Sequence, residues 1–245
     1  MVHLILTGAT GLVGSAVLHS MLANETISRV SILSRRPVKM AEGHEDKVKV
    51  MIHKDFKTYD ETLLNELRDA QGCVWALGVS QNDVNPTEYF NITHDYTMEA
   101  AKAFSTLHPE TPFTFVYVSG EGATQTPGMF TPLFGRVKGQ VEQSLLDFHK
   151  VHPNFKFYNV RPGGVDWRHH PEIHPFIPTQ QLYKRMLIGS IGAIYQNMAT
   201  PTRPMGKVFT ELALRKGEPL EGQDLGMEGR LVPNVAIRRM ATQYD

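Results

Sequence analysis

The 245-residue chain contains one cysteine, Cys73, so no disulfide can brace it internally. That excludes a disulfide-stapled secreted scaffold and fits a reducing compartment. No apolar run approaches the roughly 18–20 residues that cross a bilayer. The run at the start, in MVHLILTGATG, is short and leads straight into a glycine turn, the pattern of a strand and not of a signal peptide. Charge of one sign is missing too. Lys+Arg total 25 and Asp+Glu total 25, for a formal net charge of +0. The basic residues are dispersed, which argues against nucleic acid or a membrane surface as partner. Internal repeats and low-complexity segments are absent. The expectation is a cytoplasmic protein with a small-molecule substrate, a homodimer being left open.

What is present is an alternation of short apolar runs and helical patterns. Hydrophobic residues make up 41% of the chain, enough for the core of one large α/β domain. VHLIL (2–6), RVSIL (29–33), KVKVMI (47–52), CVWAL (73–77), FTFVYVS (113–119) and FKFYNV (155–160) read as strands. Val13, Ala16, Val17, Ser20 and Met21 mark one helix face. Pro86 opens a helical stretch that runs to about Leu107, and Val137, Val141, Leu145 and Phe148 mark another helix face. Continuous apolar strands alternating with helices predict a doubly wound parallel sheet of Rossmann type. Residues 1–165 form the expected dinucleotide-binding core. Residues 166–245, after the proline-rich RPGGVDWRHHPEIHPFIP, form a small, mostly helical extension over the open end of the sheet.

TGATGLVGS, Thr7–Ser15, follows the first strand and opens the first helix. In such a turn one glycine permits the tight bend, one lets the backbone approach a pyrophosphate, and one lets helix pack on strand. The helix N-terminus adds N–H groups and a positive dipole end. The cofactor residues expected here are Gly8, Thr10, Gly11, Leu12, Val13 and Gly14. After the second strand, where NAD sites carry an acid for the ribose 2′-hydroxyl, this chain has Ser34, Arg35 and Arg36. Guanidinium groups pair with a 2′-phosphate that a carboxylate would repel, which favours NADP(H) over NAD(H). Asp55 and Phe56 are placed to flank the adenine. Ala76, Leu77 and Gly78 are placed to run along the adenosine ribose.

With these residues assembled, the chain resembles the short-chain dehydrogenase/reductase superfamily, in particular its atypical branch with the Tat-interacting-protein oxidoreductases. TGATGLVGS, CVWALGVSQ, EYFNITHDYTMEAAKA, VYVSGEGA, RVKGQVEQSLL and VRPGGV carry the resemblance across most of residues 1–165. It implies an NAD(P)-binding fold and adds Pro162 and Gly163 to the cofactor residues. It also implies a serine after the fifth strand and a Y-x-x-x-K pair. In that family the tyrosine exchanges a proton with the substrate oxygen, while the lysine lowers the tyrosine pKa and holds the nicotinamide ribose. Ser119 matches the serine and Lys138 the lysine, but Phe134 stands in the tyrosine position. No Y-x-x-x-K occurs anywhere in the chain.

A lost general acid costs about 10²–10⁴-fold in rate. Candidate replacements are Tyr117, two residues before Ser119, and Glu121, just past the strand. Core packing and a solvated loop are their structural alternatives. Tyr183 and Tyr195, in the expected extension, are further candidates, placed to reach the substrate as parts of a lid. His94, Asp95 and Tyr96 read as structural polar groups. His169, His170 and His174 lack the cysteine or helical His partner of a zinc site, and Cys73 reads as a core residue. Three functions remain open: an NADP-dependent oxidoreductase with relocated acid–base chemistry, a non-redox isomerase, cyclase or dehydratase on the same scaffold, and an NADPH-sensing binding protein.

Overall fold

The computed structural model describes residues 2–178 and 198–243. The six apolar runs form six strands: β1 (Val2–Thr7), β2 (Ile27–Ser34), β3 (Val48–Ile52), β4 (Gly72–Trp75), β5 (Phe113–Val118) and β6 (Phe155–Arg161). Two three-residue strands, β7 (Gly164–Asp166) and β8 (Ala199–Pro201), pair with each other. A further short strand, β9 (Leu231–Pro233), adds to the main sheet beside β6. The sheet has seven parallel strands in the order β3-β2-β1-β4-β5-β6-β9. The chain reverses its direction of winding between β1 and β4. In such sheets the crevice beyond the carboxyl ends of those two strands is where ligands bind.

Helix α1 (Leu12–Ala23) follows β1, and α2 (Glu61–Leu67) lies between β3 and β4. Asn85 caps α3 (Pro86–Phe90), its side chain accepting the Glu88 N–H at 3.0 Å. A π-helical turn, Asn91–Asp95, continues α3 directly into α4 (Tyr96–Ser105). Helix α5 (Leu133–Val151) separates β5 from β6, and its buried residues include the expected Val137, Val141 and Leu145. The chain closes with α6 (Thr202–Leu214) and α7 (Asn234–Ala241).

Two apolar layers sandwich the sheet. One gathers Phe104, Val141 and Leu145 from α4 and α5 against Cys73, Trp75, Phe115 and Phe157. The other gathers Val17 and Met21 of α1 with Met205, Val208, Phe209 and Leu212 of α6 against Leu4, Leu6, Val74 and Val116. The placement of α6 differs from the expected cover over the open end. It crosses α1 and lies on β4 and β5, and Phe209 is fully buried there. The reason is its pattern: Met205, Val208, Phe209 and Leu212 make an apolar stripe wide enough to complete a sheet face. Among the described residues no helix is long and apolar enough to cross a membrane.

Because α6 is core, Phe209→Ala should destabilise the whole protein by about 3–5 kcal/mol, the usual cost of emptying a buried aromatic site. Urea unfolding followed by far-ultraviolet circular dichroism measures it. An unchanged midpoint would mean that α6 is a detachable cover.

Candidate active site

The turn after β1 is built by close approach. Gly8 has φ 68°, and a Cβ there would overlap the carbonyl of Ala76. A Cβ on Gly14 would overlap the carbonyl of Gly8. The first turn of α1 has no side-chain cap and no acidic residue, so its N–H groups and positive dipole end are left for an anion. Gly11, Leu12 and Val13 open onto a cavity of 1020 Å³ together with Ala76, Leu77 and Gly78 of the turn after β4. The Leu77 N–H is held by the Thr7 hydroxyl at 3.2 Å. The opposite wall carries Ser119, Glu121 and Lys138, and Pro162, Gly163 and Asn234 close the far side. The glycine cradle, the uncapped helix and the size of the cavity fit a dinucleotide.

The residues expected around the adenosine separate. Arg35 and Arg36 are exposed and point to different places. Arg36 donates to the Thr10 hydroxyl at 3.3 Å, bringing a cation to the glycine turn. Arg35 lines a recess shared with Lys54, Phe56, Lys57, Leu77, Gly78 and Tyr96. Ser34 is buried, its hydroxyl accepting the Arg36 backbone N–H at 3.4 Å. Asp55 is turned into its own loop, where it accepts from the Lys57 N–H at 3.0 Å and the Thr58 hydroxyl at 3.3 Å. Phe56 is 1% exposed, packed edge-on against Trp75 and stacked with Tyr96. It packs into the core and also lines the recess that holds Arg35, Leu77 and Gly78.

Lys138 points into the cavity wall. Its amine donates to the carbonyls of Val118 at 3.2 Å and Ser119 at 2.6 Å, at the end of β5. Burial holds its pKa down, to about 8, against the opposing pull of Glu142. The Ser119 hydroxyl donates to Glu142 Oε1 at 2.6 Å. Glu142 is fully buried and also accepts from Arg161, Nε at 2.8 Å and Nη2 at 2.6 Å, and from the Gln125 amide. Each carboxylate oxygen thus has two donors, so the carboxylate is saturated. Phe134 is absent from the cavity lining. Its backbone N–H is held by Gln81 at 2.8 Å, and its ring lies over Gly122, with Cζ 3.3 Å from where a Cβ would stand.

Of the other candidates, only Glu121 lines the cavity among the described residues. Tyr117 is 2% exposed in the core layer, and its hydroxyl has no partner among the described residues. Burial pushes its pKa well up, so its proton is held tightly. Its position alternates onto the core face of β5, which is the physical reason it does not reach a substrate. Glu121 lines the cavity, but its carboxylate accepts the Asn234 N–H at 3.3 Å at the start of α7. His94 stacks on Phe90 and bonds Asp95 at 2.9 Å and Ser144 at 3.2 Å, a bridge between helices. His170 bonds His19 at 3.0 Å and Thr202 at 3.1 Å, while His174 bonds the Trp167 carbonyl at 2.9 Å. No group of three His, Cys, Asp or Glu that could hold a metal occurs among the described residues. Cys73 is buried and its thiol pKa is raised by burial. Tyr183 and Tyr195 lie outside the described residues.

Glu142 and Gln81 escaped the reading of the sequence. Glu142 falls four residues after Lys138, on the same side of α5, and that spacing was the available signal. An acid on an amphipathic helix is ordinarily solvated, and only the fold brings Arg161 opposite it.

Residues 4–165 match the NAD dependent epimerase/dehydratase family. The leucinostatins biosynthesis cluster protein T of Purpureocillium lilacinum is 31% identical, over 96% of this chain and 94% of its own. The mitochondrial protein fmp52 of Emericella nidulans is 25% identical, over 89% of this chain and 88% of its own. Among solved structures, a short-chain dehydrogenase/reductase of Saccharomyces cerevisiae superposes with TM-score 0.69 at 16% identity, covering 96% of each chain. A tyrosine-to-phenylalanine variant of ElxO with NADPH bound superposes with TM-score 0.67 at 16% identity, covering 95% of this chain and 96% of that one. At such identities these two structures show the fold.

Removing the saturated carboxylate should be costly. Glu142→Ala leaves Arg161 and two further donors without their acceptor, at about 3–5 kcal/mol. Glu142→Leu combined with Arg161→Met should recover most of that loss, because no charge is then left buried. Paired urea titrations decide; a Glu142→Ala protein as stable as the unaltered one would mean that the cluster contributes nothing to the fold.

Proposed function

Because the chain belongs to the NAD dependent epimerase/dehydratase family, we propose that it is an NADP(H)-dependent oxidoreductase acting on a small organic carbonyl or alcohol. The observation that carries this reading is one cavity with the glycine turn and uncapped α1 on one wall and the Lys138 amine on the other. When bound, NADPH supplies a hydride to a carbonyl carbon. The chain's own residues hold its phosphates at α1, draw a 2′-phosphate toward Arg35 and Arg36, and present Lys138 beside the reacting end. The absence of an acid after β2 supports NADP(H) over NAD(H). The name of the Purpureocillium relative ties that protein to a biosynthesis cluster, which supports a small organic substrate. The fmp52 relative is named as a mitochondrial protein, and among the described residues no helix is long and apolar enough to cross a membrane.

A second reading is a redox-neutral isomerase, cyclase or dehydratase. It is favoured by Phe134, which has no proton to give, and by Ser119, whose hydroxyl is committed to Glu142. The ElxO variant supports the compatibility of such a loss with NADPH binding in this fold.

Two measurements test the reading. Arg35→Ala with Arg36→Ala should weaken NADPH binding and spare NADH, by isothermal titration calorimetry; equal affinity of the unaltered protein for the two nucleotides would sink the preference. Phe134→Tyr should raise NADPH oxidation over a panel of aldehydes and ketones, by up to about 10²-fold. A fall, with NADPH still bound, favours the redox-neutral reading.

A further inference from the structure

Three polar groups lie around the carboxyl end of β5, and two of them are committed elsewhere. The Ser119 hydroxyl donates to Glu142, so that it faces other partners only as an acceptor. Glu121 is turned to the N-terminus of α7. The third is Lys138. We propose that the Lys138 amine is the acid–base group of this site, exchanging the proton with the substrate oxygen that a tyrosine at position 134 would otherwise exchange. This rests on the oxidoreductase reading above.

The geometry of the amine carries the proposal. Nitrogen in a lysine has one bond to carbon and three other directions. Two of these are occupied by hydrogens donated to the carbonyls of Val118 and Ser119. In the ammonium form the remaining direction holds a third N–H, and in the neutral amine it holds a lone pair. Both forms keep the same two hydrogen bonds, so losing the proton leaves no carbonyl unsatisfied. Lys138 and Gly120 both line the cavity, and a Cβ on Gly120 would stand 3.9 Å from Nζ, at ordinary contact distance. Among the described residues the amine has no third partner, so the remaining direction is the one left to a ligand.

The surroundings allow the amine to change charge near neutrality. Burial disfavours the ammonium, and Glu142, one turn along α5, opposes that effect. The Glu142 charge is in turn paired with Arg161 of β6. The other titratable groups nearby are Glu121, on the loop after β5, and Tyr117 of β5, which burial keeps protonated. A proton donor is most useful when its pKa lies near the working pH, which an ordinary lysine at about 10.4 does not satisfy.

The step balances without a further reactant. A hydride from the reduced nicotinamide bonds to the carbonyl carbon, the C=O π pair moves to oxygen, and that oxygen takes the third proton of the Lys138 ammonium. The nicotinamide is oxidised, the carbonyl is reduced, and the lysine is left as a neutral amine that regains its proton from water. In the reverse direction the neutral amine takes the alcohol proton as hydride returns to the oxidised nicotinamide.

The first test needs no substrate. Competitive acetylation with acetic anhydride across a pH series, read by mass spectrometry at the Lys138 peptide of the unaltered protein, should give a reactivity midpoint near 8. Surface lysines should fall near 10.4. The second test uses Lys138→Arg, which keeps a charged donor that cannot release its proton. NADPH binding, followed by fluorescence, should survive, while NADPH oxidation with 4-nitrobenzaldehyde falls by about 10²–10⁴-fold. In the unaltered protein that oxidation should decline tenfold per pH unit above about 8. A Lys138 midpoint among the surface lysines, or unchanged turnover by Lys138→Arg, overturns the proposal. So does an unaltered protein that binds NADPH yet turns over neither 4-nitrobenzaldehyde nor any carbonyl of the panel. Failure of the unaltered protein to bind NADPH is a different result: it sinks the oxidoreductase reading, while the acetylation midpoint still decides whether the amine titrates as required.

Discussion

The Glu142 carboxylate ties together the half of the fold that faces the glycine turn across the cavity. Its four donors come from the end of β5, from the loop before α5 and from the end of β6. A carboxylate removed from water is expensive unless its acceptor sites are filled, and one missing donor leaves the cost uncompensated. The ends of β5 and β6 are therefore held in one arrangement relative to α5. Lys138, one turn earlier on the same helix, inherits that fixed position. The Gln81 side chain does a similar service from the β4 side, holding the first turn of α5 through the Phe134 N–H.

The cofactor half is held by backbone against backbone. Gly8 and Gly14 let β1, the turn after β4 and α1 approach more closely than any side chain permits. The two halves use different chemistry, and this accounts for their unequal legibility. Glycines at fixed spacing after an apolar strand announce themselves in the sequence. β1, β2, β4, β5 and β6 did so too, because each is a largely buried apolar run, whereas β3, at the sheet edge, buries only Val48. Phe56 was half legible: it packs into the core and also lines the recess beside Arg35, a double placement that only the path of the loop produces. Tyr117 posed a choice between core and site, and its core face prevailed. Glu142 was hidden for another reason. Its spacing from Lys138 is visible, but its principal partner, Arg161, is brought opposite by tertiary structure alone.

The carboxyl-terminal third was the least legible. β9 is three residues long and ends in a proline, too little for a periodic signal. α6 has a readable apolar stripe, yet it follows a proline-rich stretch that suggested a separate cover. In the fold it completes the layer that α1 begins, while Asn234 and Val235, at the start of α7, reach the cavity from the far side.

The crossing of α1 by α6 bears on how this architecture can diversify. A seam near residue 165 would divide the protein into a nucleotide module and an exchangeable specificity module. The packing places no seam there, since the helix that presents the glycine turn rests on Met205, Val208 and Phe209. Recombination that swaps the whole carboxyl-terminal third would strip α1 of its support and loosen the grip on the dinucleotide along with the choice of substrate. A chimera intended to alter specificity alone has to leave α6 in place, its exchanged segment ending before Thr202 or starting after Leu214.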